Sequence, residues 1–171
     1  MISLPRLRTA NFLVRPSVEA DREGLYAVAR NPLLWDQHNA YDRYQRPVFD
    51  ELFSTGLAGG GALTFVRTAD DRIIGSSRYK MLEGDDVEIG WTFLAHDLWG
   101  TGANAELKEA LMKHAYQFTA GLYWFVYDRN FRSQRAVEKL GATAVPPTHR
   151  YAKPERVVYH LSREDYYAGT P

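Results

Sequence analysis

The sequence predicts an α+β domain, with helices packed on a mostly antiparallel sheet. Three observations point there. Ala62 to Arg67 and Arg72 to Tyr79 are strand-like runs joined by Thr68-Ala69-Asp70-Asp71, a turn-rich link of hairpin length. Val87 to Phe93 alternates apolar residues with the period of a strand, placing Val87, Ile89, Trp91 and Phe93 on one face. From Asn104 to Phe118 the period becomes helical.

The other elements follow in order. Phe12 to Arg15 is a short strand, and Ser17 then suits the cap of a helix whose inward positions include Leu25, Val28 and Ala29. Asn31-Pro32 ends it, because the residue before proline resists helical geometry. Leu33 to Arg46 is irregular, mixing Trp35, His38, Tyr41 and Tyr44 with charges. Pro47 suits a first helical turn, with Phe49, Leu52 and Phe53 on one side and Gly59-Gly60-Gly61 beyond the end. Glu83 to Asp86 is a turn. The 104–118 helix gathers Leu107, Ala110, Leu111, Ala115, Phe118 and His114 on one face and leaves Lys108, Glu109 and Lys113 elsewhere. Leu122 to Tyr127 is a dense apolar strand covered on both sides. Asn130 caps a helix through Leu140, Gly141 supplies its left-handed stop, and Val157 to Leu161 is the last strand. No repeat or linker divides the chain, so residues 1–171 are expected to form one domain.

Composition removes several function classes. Lys plus Arg and Asp plus Glu both number 21, without the basic excess of a nucleic-acid binder. The chain has no cysteine, which excludes disulfides, thiol nucleophiles and thiolate metal sites. The five histidines lack metal-site spacing, and no metal is expected. Neither a signal peptide nor a membrane span is readable, so the expected location is cytoplasmic.

The segment Asp97-Leu-Trp-Gly-Thr-Gly-Ala-Asn-Ala-Glu106 carries most of the functional information. A glycine turn between a strand and a helix lets a ligand approach the main chain, and the free N–H groups of the first helical turn face it. A diphosphate suits such a site. Gly100-x-Gly102-x-x-Ala105 also satisfies a dinucleotide fingerprint, with Asp128 as the ribose-binding candidate. Against that reading, Asp128 falls later than the fingerprint asks. Too little chain follows it for a doubly wound sheet, and hairpins precede the turn.

Glu88-Ile-Gly-Trp-Thr-Phe-Leu, Trp99-Gly-Thr-Gly-Ala-Asn-Ala-Glu106 and Asn130-Phe-Arg-Ser133-Gln-Arg-Ala-Val-Glu138-Lys-Leu-Gly141 together closely resemble the GNAT acyltransferases. The nearest branch is the one containing the ribosomal-protein N-terminal acetyltransferases. The resemblance implies the GNAT mixed, mostly antiparallel sheet flanked by helices, with acetyl-CoA as donor and an amine as acceptor. It implies that the pyrophosphate rests on main-chain groups of Trp99, Gly100, Thr101, Gly102, Ala103 and Asn104. The pantetheine arm would follow the strand ending Phe93-Leu94, flanked by Asn130 and Ser133. Homodimerisation would rest on resemblance alone. The chain departs from the family at Asp97, where Gln or Arg is frequent, and at Thr101, where Lys or Arg is frequent.

Acetyl transfer needs a neutral amine, and amine pKa values run from about 7.7 for an α-amine to about 10.4 for a lysine. General base, oxyanion donor and general acid are therefore the roles to fill. Glu88 is the base candidate, through water, because it alternates away from the Ile89 face; a solvated strand glutamate is the plain alternative. By resemblance, a backbone N–H near Phe93 or Leu94 serves as oxyanion donor. Many relatives place a tyrosine acid where this chain has Val137, and Ser133 is the substitute that the branch pattern suggests, hydrogen-bonding the sulfur. His114 reads as a hydrogen-bonded core residue. Trp91, Trp99 and Trp124 read as packing residues, and Arg132, Arg135 and Lys139 as a basic helix face. The acceptor wall is assigned to the Leu33–Arg46 segment through Trp35, His38 and Tyr41, which selects neither a peptide N-terminus nor a small molecule. Two functions follow: an acetyl-CoA-dependent N-acetyltransferase, or a GNAT-like module that binds acyl-CoA without turnover.

Overall fold

The computed structural model describes residues 3–169. Its strands are β1 (Leu7–Arg8), β2 (Phe12–Pro16), β3 (Ala62–Arg67), β4 (Arg72–Met81), β5 (Val87–Leu94), β6 (Gly121–Tyr127), β7 (Thr143–Ala144) and β8 (Arg156–Ser162). They form an eight-stranded sheet in the order β1-β2-β3-β4-β5-β6-β8-β7. The helices are α1 (Arg22–Ala29), α2 (Arg46–Ala58), α3 (Ala103–Ala115), α4 (Phe131–Glu138) and α5 (Arg163–Ala168).

Neighbouring strands run antiparallel except β5 and β6, which the α3 crossover makes parallel. That exception positions the site. β5 and β6 pair only at Val87↔Leu122 and Glu88↔Tyr123, after which both strands continue unpaired with each other. A wedge opens in mid-sheet, bordered by the rest of β5 on one side and the rest of β6 on the other.

The sheet register sorts side chains onto two faces. Ile89 pairs with Tyr79, whose hydroxyl donates to the Leu111 carbonyl of α3 at 2.7 Å. Across the sheet, Tyr159 of β8 bonds Glu138 of α4 at 2.8 Å. This face therefore carries α3 and α4. The opposite face carries α1 and α2, where Leu25, Val28, Phe49 and Phe53 are buried. The main core draws on both layers.

Local chemistry explains the element ends. Pro47 lies in the first turn of α2, and Asn130 caps α4 by accepting from the Ser133 N–H at 3.1 Å. Gly141 has φ 92°, the left-handed stop expected after α4.

Several expectations are corrected. Ser17 does not cap α1; a short 3-10 turn, Glu19–Asp21, comes first, and the Ser17 hydroxyl lies 2.8 Å from that of Thr64. α3 ends at Ala115 rather than Phe118. Lys108 is buried, not on an outer face, and donates to the Thr92 hydroxyl at 2.8 Å.

The largest correction concerns β5. Ser76 pairs with Phe93 and Arg78 with Gly90, so two β5 residues, Trp91 and Thr92, oppose the single Ser77. This is a β-bulge, with Trp91 at φ 52°. The extra residue reverses the strand's phase. Trp91 and Phe93 therefore turn to the α2 face, opposite Ile89, while Thr92 turns to α3 and Lys108.

Candidate functional site

Three parts converge on the wedge. The first is the glycine turn at the C-terminal end of β5. Gly100 and Gly102 hold φ 74° and 88°, and a Cβ at either would meet nothing within 4 Å. Open space and left-handed backbone together expose the main chain. Among the described residues, the N–H groups of Gly100, Gly102, Asn104 and Ala105 have no protein acceptor. The Ala103 N–H reaches only the Thr101 hydroxyl, at 3.4 Å. The turn is braced from within, since the Thr101 hydroxyl donates to the Leu98 carbonyl at 2.7 Å. Asp97 is engaged from outside by Arg72, through contacts of 2.8 and 3.1 Å. Its charge is thus answered by a partner, and Asp97 acts as a bracket between the turn and β4. Behind the turn, Asn11, Arg67 and Thr68 line a groove of about 310 Å³ with Thr101 and Glu106.

The second part is the free edge of β5. The Ala95 N–H bonds Ile74 of β4 at 2.7 Å, and the Phe93 carbonyl also points at β4, 2.2 Å from where a Gly75 Cβ would stand. Alternation then turns the N–H and C=O of Leu94 to the wedge. The Leu94 carbonyl accepts from the Trp99 indole at 3.2 Å, while Arg132 of α4 stacks 4.3 Å over the Trp99 ring. Arg132 also ties down the segment before α2, through Asp36 at 3.0 Å and the Leu34 carbonyl at 3.2 Å.

The third part is Glu88, where β5 and β6 part company. Glu88 is 9% exposed, and its carboxylate makes no hydrogen bond among the described residues. Burial raises its pKa, and the charges of Lys80, Lys153 and Arg156 oppose that rise. A carboxylate held above its ordinary range, without a fixed partner, suits proton acceptance near neutral pH.

The remaining sequence candidates distribute unevenly. Asn130 is buried, with its side-chain oxygen committed to capping α4. The hydroxyl of Ser133, in the first turn of α4, has no hydrogen-bond partner among the described residues. Val137 packs in the core, where it has no proton to give. Trp35 is buried, donating to the Ala29 carbonyl at 2.7 Å and packing on Phe93 with ring centroids 5.5 Å apart. His38 sits edge-on to Trp35 at 6.1 Å. Its Nε2 lies 3.1 Å from an Arg43 nitrogen, and its Nδ1 accepts from the Ala40 N–H at 3.0 Å. Burial and the charges of Arg43 and Arg156 push His38 down to about 3. It is neutral under ordinary conditions. Tyr41, by contrast, is 68% exposed and joins none of these contacts.

Sequence reasoning missed Arg43 and Arg78, whose charges carry no periodic signal, and gave Trp124 only a packing role. The Trp124 indole N–H is buried without a hydrogen-bond partner on the α3 face of β6. The Nδ1 of His114 is likewise buried without a partner, so the expected core hydrogen bond at that atom is missing. His114 instead stacks on Tyr79 at 5.8 Å.

Comparison with known proteins gives the arrangement its context. Residues 11–143 match the family model described as an acetyltransferase (GNAT) domain. The chain belongs to the GNAT acetyltransferase family. An acetyltransferase from Agrobacterium tumefaciens str. C58 is similar at 24% identity, with a TM-score of 0.76, over 95% of this chain and 97% of that one. Mycobacterium smegmatis RimJ in complex with CoA-disulfide is similar at 16% identity and a TM-score of 0.67, over 90% of this chain and 83% of that one. Apo FdhC, described as a nucleotide-linked sugar GNAT, is similar at 17% identity and a TM-score of 0.69, over 97% and 94%. No curated protein matches the chain. At these identities the solved structures speak to the fold, and this GNAT domain shares theirs. No helix among the described residues is long and apolar enough to cross a membrane, and no cluster of metal-ligating residues occurs among them.

Proposed function

We propose that this GNAT domain transfers the acetyl group of acetyl-CoA to a primary amine by direct attack. The observation that carries the reading is the unpartnered, buried Glu88 at the apex of a wedge whose mouth is lined by uncommitted N–H groups.

Within the Trp99–Asn104 turn, the N–H groups of Gly100, Gly102 and Asn104 suit the donor's diphosphate, because they lack a protein acceptor among the described residues, lie beside open space and stand at the positive end of α3. The free edge of β5 at Phe93 and Leu94 suits the amide-bearing pantetheine arm, which can pair with a strand edge as a peptide does. The Leu94 N–H then lies where charge develops on the thioester oxygen. Glu88 takes the proton that the amine loses, through a water. Ser133 offers a hydroxyl to the departing sulfur. The acceptor enters from the α2 face, between Glu88 and the wall made by Trp35 and His38.

The acceptor class implied by the resemblance to the ribosomal-protein branch is a peptide N-terminus, while the likeness to RimJ, solved with CoA-disulfide, speaks for the donor. The sugar-directed FdhC supports a small-molecule acceptor equally well. A second reading, a module that holds acyl-CoA without turnover, draws on Val137, which leaves the usual acid position apolar.

An assay of free CoA release across a panel of amines tests the proposal. Release above the hydrolysis background, reduced about tenfold or more in Glu88→Gln, is the expected result. Normal CoA binding with no release from any amine would overturn turnover in favour of the binding module.

A further inference from the structure

Arg43, Arg78 and Arg156 lie far apart in the chain, yet the fold gathers their charges. The register places Arg78 and Lys80 of β4, Glu88 of β5, Tyr123 and Tyr127 of β6, and Arg156 of β8 on a single face. The segment before α2 brings Arg43 to that face, stacked 5.5 Å over Trp35, which itself packs on Phe93. Arg78 stacks 5.2 Å over Trp91, the residue that the β5 bulge turned to this side. Room for its guanidinium comes from Gly56 of α2, where a Cβ would lie 2.7 Å from the Arg78 Cζ.

None of the three has an acidic partner among the hydrogen bonds of the described residues. Arg43 meets the neutral His38, Arg78 donates to the Leu52 carbonyl, and Arg156 reaches the Glu155 carbonyl at 3.4 Å. Arg43 and Arg78 are both half-buried. Burial and the charge of Arg156 lower Arg43 to about 10, and burial and the charge of Arg43 lower Arg78 to about 10. Nearby carboxylates are Asp42 and Glu88, neither within ion-pair distance of these arginines. Other arginines of the chain show the contrast: Arg15, Arg22, Arg46 and Arg72 all hold carboxylates. Here the fold leaves three without a carboxylate and close enough to repel one another, beside its candidate base. A bound anion would relieve that repulsion.

We infer that the acceptor is an amine that also bears an oxyanion, phosphate or carboxylate, and that Arg43, Arg78 and Arg156 hold this oxyanion while Glu88 faces the amine. The inference rests on the acetyltransferase reading, because it takes the Glu88 face as the acceptor side. Trp35 and Trp91 act as backing plates, each fixing one guanidinium plane. The Arg43–His38 contact holds the loop arginine in place, with His38 kept neutral so that it adds no competing charge.

Matched probes separate the anion from the amine. O-phosphoethanolamine differs from ethanolamine by a phosphate, and β-alanine differs from propylamine by a carboxylate. Calorimetric titration of all four into the full chain, with and without CoA, should show the anionic member of at least one pair binding about tenfold or more tightly than its neutral twin. Preference in the first pair alone names a phosphate, and in the second alone a carboxylate. Arg43→Gln, Arg156→Gln and Arg78→Gln should each remove most of that preference while CoA affinity stays within about twofold. Should Arg78→Gln fail to fold, the other two variants still decide. Equal binding of the twins in both pairs, or a preference that survives in Arg43→Gln and Arg156→Gln, would overturn the inference. Loss of the acetyltransferase reading has a different signature: no CoA binding, or no CoA release with any amine, whatever the probes do.

Discussion

At the glycine turn, the groups left open are main-chain N–H groups, those of Gly100, Gly102, Asn104 and Ala105. On the Glu88 face they are side chains from a loop and three strands: Arg43, Arg78, Glu88 and Arg156. The two sides differ in how they can change. A main-chain site depends on φ and on the lack of a Cβ, so it tolerates side-chain drift such as Asp97 and Thr101. A side-chain site can be rewritten residue by residue without touching the fold.

Substituting Glu88 gives the sharpest break between the two sides. Glu88→Gln should lower kcat about a hundredfold while CoA affinity, read by calorimetry, stays unchanged. Because burial raises the Glu88 pKa, a base at Glu88 would be ionised and active above that raised value and lost as pH falls through it. The acid limb of the kcat profile should therefore lie above the ordinary carboxylate range, and Glu88→Gln should abolish it. A profile with the limb intact would remove Glu88 from the role of base.

Gly102→Val probes the other side. A β-branched residue at φ 88° is strained by about 1–2 kcal/mol, and the turn should relax away from its open form. Donor affinity should fall about tenfold, with the acceptor probes unaffected. An unchanged affinity would show that the main chain does not hold the diphosphate.

Lys108 sits between the two sides, beneath the bulge. Burial lowers its pKa from 10.5 to about 7. Between those values the unfolded chain binds more protons than the folded one, so stability rises with pH across that window. Lys108→Met should flatten the rise and raise Tm near pH 7 by roughly 2–4 °C for each kcal/mol gained. A fall in Tm would mean that the Lys108–Thr92 bond stabilises the bulge more than burial of the charge costs.

Asp97→Asn should do least. The Arg72–Asp97 pair is exposed, and such pairs contribute about 0–1 kcal/mol. A small drop in Tm with donor affinity retained would confirm Asp97 as a bracket; a rise in donor affinity would give its charge a role against the diphosphate.

The reach of sequence reading divides along the same line. The turn, the α3 start, the Asn130 cap and the left-handed Gly141 were legible because each depends on neighbours within a few residues. Glu88 was legible by alternation, since it precedes the bulge. Trp91 and Phe93 were assigned to the wrong face because one inserted residue reverses a period of two, and nothing local announces that residue. Lys108 was misplaced because helical periodicity marks charged residues as outward, whereas the Thr92 hydroxyl offers this one a partner inside. Tyr41, assigned to the acceptor wall by composition, is exposed.

By itself the chain's pattern of glycines, caps and apolar periods determined the kinds of element and the main-chain site at the turn, since those rest on short-range sterics and hydrogen bonding. Only the tertiary structure decided where β5 and β6 separate, which face Trp91 presents, and that Arg43, Arg78 and Arg156 share a face with Glu88. Strand register and long-range packing set those outcomes, and no window along the chain contains them.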